Sequence, residues 1–163
     1  MSEIMAIASG TWRKILRMKV VYFLIACVYV LIGSAYNYDV LSLQHHRDLM
    51  IDISLVLNTV AAFIVVISLT FDIPREIREG VASTLLTKPL GRTQYVIGKA
   101  VGTIVTGVVI CGLVALGFFV IFNSAFGEKI ALTMIQTHLL VILSLVPMTA
   151  IGAFFAVVLP EMI

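Results

Sequence analysis

Four long apolar runs divide the chain, at residues 20–36, 49–71, 95–122 and 130–159, with polar stretches between them. Each reaches the roughly 17–25 residues that a membrane-crossing helix needs. The runs are continuous and do not alternate with period 2. In a bilayer, where every backbone polar group must be paired internally, that pattern selects helices over a barrel. The predicted fold class is therefore all-α, a polytopic helical membrane protein with four transmembrane helices. The third and fourth runs exceed a minimal span and must tilt, kink or extend beyond the hydrocarbon. Pro147 is the expected kink site in the fourth, because it removes one ladder hydrogen bond.

The stretch before the first run, residues 1–19, has a different period. Ile4, Ile7, Ala8, Thr11, Trp12, Ile15 and Leu16 recur at helical spacing, and Arg13, Lys14 and Arg17 fall on the other side. This predicts an amphipathic interfacial helix along the inner leaflet, with Trp12 at headgroup depth and the cations near anionic lipid. A leader of this length, followed by further spans, reads as part of the protein and not as a cleaved signal.

Composition agrees with a membrane protein: of 163 residues, 61% are hydrophobic and 12% charged, about half the charged share of a soluble domain. The net charge of +2 argues against a nucleic-acid partner, so the placement of the charges matters more than their sum. Arg13, Lys14, Arg17, Lys19, Arg75, Arg78, Lys88, Arg92 and Lys99 lie before the first span or around the segment 72–94, and only Arg47 and Lys129 lie in the other two loops. The positive-inside rule then puts both termini and the central loop in the cytoplasm. Cys27 and Cys111 sit inside apolar runs with no disulfide or metal spacing.

The loop 72–94, DIPREIREGVASTLLTKPLGRTQ, carries the densest charge in the chain. Asp72 and Pro74 together read as a helix start. Ile73, Ile77 and Val81, four apart, form an apolar stripe, and Pro89 with Gly91 ends the element. A mere connector needs only a few polar residues; this one is organised to be gripped.

The run Arg75-Glu76-Ile77-Arg78-Glu79-Gly80, followed by Leu85-Leu86, Pro89, Arg92 and Gly98-Lys99, resembles the first cytoplasmic loop of type-2 ATP-binding-cassette export permeases. It is most similar to the branch containing the permeases of gliding-motility and nitrous-oxide-reductase maturation systems. The resemblance implies that the leader is an elbow helix and that the loop holds a coupling helix docking into a separate ATPase subunit. It implies docking roles for Arg75, Glu76, Arg78, Glu79 and Gly80, and makes Pro89, Arg92 and Lys99 shapers of the return into the third span. It implies a pair of permease copies in a bacterial inner membrane. Family members usually have six spans, so a four-span chain is expected to be either a fragment or a shortened relative. The alternative function is a non-transporting accessory subunit of a larger membrane complex.

Other signals are weaker. The segment Gly91 to Gly98-Lys99-Ala100 lacks the glycine spacing and the hydroxyl of a phosphate-binding loop, and no catalytic constellation appears, so the chain is read as neither an ATPase nor an enzyme, with no cofactor. Gly98 and Gly102 form a G-x-x-x-G, and Gly107, Gly112 and Gly117 continue along the third span, marking it as the packing centre of the bundle. His45, His46, Asp39 and Asp48 are read as an exposed polar loop and not as a metal site. Asn58 and His138 lie at membrane depth, where they serve either as interhelical hydrogen-bond ties or as a polar lining. With no buried charge cluster expected, and Lys99 reaching back to the interface, any cargo is expected to be apolar or amphipathic.

Overall fold

The computed structural model describes residues 2–35, 46–79, 91–127 and 131–158. Among them every regular element is a helix: α1 (Ser2–Leu16), α2 (Lys19–Ala35), α3 (His46–Arg78), α4 (Arg92–Phe126) and α5 (Leu132–Val158). Three of these, α3, α4 and α5, are long and apolar enough to cross a membrane. The chain is thus an all-α polytopic membrane protein. At 17 residues, α2 is about 25 Å long. It is not by itself among the helices long and apolar enough to cross, so three and not four of the expected spans stand alone; it meets α1 at a 58° bend, and only α1 and α2 counted together have the length and apolarity of a fourth.

With 33 and 35 residues, α3 and α4 are each about 50 Å long, well beyond a hydrocarbon core of about 30 Å. This overrun corrects the sequence reading. Asp72 and Pro74 do not start a new helix; α3 runs through Pro74 to Arg78. The lost backbone bond is offset because the continuous helix keeps Asp72 and Glu76 one turn apart on one face, toward cationic partners on α1 and α4. Ile73 is buried while Ile77 is half exposed, so the apolar stripe leaves the bundle as the helix extends past it.

Where the third span was expected from residue 95, α4 starts at Arg92. The Gly91 N–H donates to the Gln94 side chain (3.3 Å). The other end of α4 stops at Gly127, whose left-handed φ of 61° lets its N–H return to the Asn123 carbonyl.

All four other helices pack against α4. At one end Ile32, Met50, Phe118, Phe122 and Met134 form a core, and at the other Leu69, Ile73, Tyr95, Ala153 and Ala156 do so. Ala62, Val66, Cys111 and Leu145 fill the middle. Close approach depends on individual glycines: the Tyr29 ring of α2 lies over Gly117, its hydroxyl donating to the Leu113 carbonyl (2.8 Å), Leu145 of α5 fits against Gly107, and Val66 of α3 fits against Gly152. The outer surface is apolar, with Phe23, Phe71, Leu140, Leu143 and Phe154 all exposed, as suits contact with lipid.

Candidate functional site: a charged clamp on three helices

Helical periodicity builds the site. Asp72 and Glu76 lie one turn apart on α3, Tyr95 and Lys99 one turn apart on α4, and Lys14 lies in the last turn of α1. The Lys99 ammonium donates to Asp72 Oδ2 and Glu76 Oε1, both at 2.7 Å. Lys14 Nζ donates to Glu76 Oε1 at 2.9 Å and also to Asp72 Oδ1. The Tyr95 hydroxyl donates to Glu76 Oε2, and its ring lies 5.9 Å from the Lys99 ammonium. Two ammonium groups thus balance two carboxylates. Side-chain exposure is 6% for Lys99, 11% for Glu76, 15% for Asp72 and 40% for Lys14, so the cluster is driven by mutual pairing and not by solvent.

The leader is held by shape as well as charge. A Cβ on Gly98 would lie 2.9 Å from Ile7 Cβ, and one on Gly102 would lie 2.8 Å from the Ala8 carbonyl. The G-x-x-x-G of α4 is therefore the seat of α1, and the apolar stripe of the leader (Ile7, Ala8, Thr11) faces protein. Between α1, α3 and α4 lies a cavity of about 10 Å³ lined by Thr11, Lys14, Ser68, Asp72 and Thr103 among others, room for about one water.

The residues singled out from the sequence separate into groups. Arg75 and Glu79 pair with each other on the exposed side of α3 (2.7 Å), and Arg78 is also exposed. Glu76 turns inward and is spent on the cluster. Lys99 does not reach back to the interface as expected; two carboxylates one turn apart hold it inside. Lys14, expected on the polar side of the leader, is likewise drawn in. Arg92 begins α4, whereas Gly80 and Pro89 lie outside the described residues. Along α4, Gly98, Gly102 and Gly107 each meet a neighbouring helix, but a Cβ on Gly112 would meet none of the described residues within 4 Å.

Sequence reasoning missed Lys14, Asp72 and Tyr95 as members of one site. Two signals were available: the i, i+4 acidic pair Asp72 and Glu76, and a lysine one turn inside an apolar run, which needs a counter-charge. The chain matches no family model, no curated protein and no solved structure.

Proposed function

We propose that the chain is the membrane subunit of an ATP-driven exporter, working with a separate ATPase. The reading rests on the loop resemblance, and one observation carries it furthest. Helix α3, with more residues than a hydrocarbon core requires, carries Arg75, Arg78 and Glu79 exposed on its last turns, while Asp72 and Glu76 of that same end are tied to α4 and α1. A push on the exposed residues is delivered to three helices at once, because paired charges and packed backbones move as one body. Coupling in this picture needs no chemistry from the chain itself. In this reading the clamped end faces the cytoplasm, the side that the positive-inside charge favours, the membrane is a bacterial inner membrane, and two copies form the permease.

Affinity purification in mild detergent tests this. The expected result is recovery of an ATPase subunit with the tagged chain, and its loss when Arg78→Glu and Glu79→Lys are combined. Both side chains are exposed, so the bundle should stay intact. Recovery of no ATPase, or stoichiometric recovery within an unrelated membrane complex, would instead favour the accessory-subunit alternative.

A further inference from the structure

Polar groups without a partner among the described residues fall in two places. Inside the bundle, both amide atoms of Asn58, Nε2 of His138 and Oγ1 of Thr149 have none, so the interhelical tie expected of Asn58 and His138 is not made. At the surface, Arg13, Arg17 and Lys19 are exposed and form no ion pair among the described residues. The described acids at that end are spent: Asp72 and Glu76 on Lys14 and Lys99, Glu79 on Arg75. Three cations are left without a counter-charge where α1 bends into α2.

That bend has a definite depth. From Asp52 to Asp72, α3 carries no charged side chain between the two acids, a stretch of about 30 Å of helix, which is one hydrocarbon thickness. Asp72 therefore marks one edge of the hydrocarbon. α1 climbs toward that edge in step with α4, Ile7 meeting Gly98 and Thr11 meeting Gly102. Its end lies level with the edge, because Lys14 and Met18 line one small cavity with Asp72, Ser68 and Thr103. Past the bend α2 enters the hydrocarbon: Val21 and Leu24 line a cavity with Val65, about 10 Å of helix beyond Asp72.

We propose that the bend between α1 and α2 binds the headgroup of an anionic phospholipid in the leaflet beside the clamp. Arg13 and Arg17 lie one turn apart at the end of α1 and Lys19 opens α2, so three positive charges gather at the depth of lipid phosphates. Guanidinium groups suit a phosphate, since their fork of N–H donors pairs with two oxygens at once. Met18, Tyr22 and Phe23 follow, 38%, 61% and 71% exposed, and offer apolar surface to the acyl chains. Charge running directly into apolar surface fits a lipid, whereas a soluble anion uses the cations alone. The site stands on unpaired charge and depth, and does not require the exporter reading.

Trp12 is the built-in probe. It is the single tryptophan, half-buried beside Arg13. In bilayers that mix phosphatidylglycerol with phosphatidylcholine, bromine on the acyl chains of one or the other lipid quenches Trp12 when that lipid occupies the bend. At low ionic strength the anionic lipid should be preferred about tenfold. Arg17→Gln should lower the preference, and Arg13→Gln, Arg17→Gln and Lys19→Gln combined should abolish it. Arg13→Lys with Arg17→Lys keeps the charge and should keep most of the preference. Arg78→Gln removes one exposed cation further along α3, about 9 Å of helix past Asp72, and should change nothing. Equal quenching by the two lipids in the parent, a preference that survives the triple substitution, or a loss as large with Arg78→Gln as with Arg17→Gln would overturn the proposal. Displacement of the lipid by inorganic phosphate, beyond that caused by chloride at equal ionic strength, would assign the cations to a soluble anion and overturn it as well.

Discussion

Lys99→Met is expected to destabilise the protein by about 3 kcal/mol, the low end of the cost of removing one partner from a buried ion pair. The ammonium lost is the one 6% exposed, and it serves both Asp72 and Glu76. Lys14 still reaches both carboxylates but is 40% exposed, so it compensates only in part. Adding Glu76→Gln should recover most of the loss. One cation and one anion then remain, and the amide oxygen at position 76 still accepts from Tyr95. Unfolding of the parent, the two single variants and the double variant in mixed micelles gives the coupling directly. A double variant no more stable than Lys99→Met alone would show that the cluster is not a balanced unit.

The second large effect falls on glycine. Gly102→Val should cost about 3 kcal/mol, the upper end for overpacking, because the new Cβ meets backbone: the Ala8 carbonyl at 2.8 Å and the Ala8 Cα at 3.0 Å. Backbone cannot turn aside as a side chain can, so α1 must lift and take Lys14 out of the clamp. Limited trypsin digestion should then cut faster at Arg13 and Arg17. Gly112→Ala is the control on the same helix. A Cβ there meets none of the described residues within 4 Å, and alanine is favoured over glycine within a helix by about 1 kcal/mol, so that variant should be as stable as the parent or more so. Greater harm from Gly112→Ala than from Gly102→Val would contradict the seat assigned to α1.

Run length and continuity made the spanning helices legible, since the bilayer leaves so little choice of backbone. The helical period of the leader was legible too, but not its neighbour: an apolar stripe fits a lipid surface or a pair of glycines equally well. The charged loop misled at Pro74, where local helix-start chemistry competes with tertiary pairing. Proline after an acidic residue suits a first turn, yet the ion pairs of Asp72 and Glu76 with residues on two other helices outweigh it. Those pairs join positions as far apart as Lys14 and Glu76, and no local pattern carries such a partnership. The same limit hid the failure of Asn58 and His138 to tie helices, because residue type shows a capacity for hydrogen bonding and not whether a partner lies in reach.

The central claim is that α1, α3 and α4 form one clamped body, and a designed cross-link between the leader and α4 tests it most directly. Ile7→Cys with Gly98→Cys, in protein carrying Cys27→Ala and Cys111→Ala, places two thiols where the Cβ positions lie 2.9 Å apart. A disulfide prefers about 3.8 Å, so α1 need ease outward by only about 1 Å. With a protease site inserted between residues 80 and 90, oxidation in native membranes followed by cleavage should leave the two fragments joined until a reductant is added. Fragments that separate without reductant, in protein that otherwise folds, would mean that the leader does not rest on α4 and that the clamp does not exist.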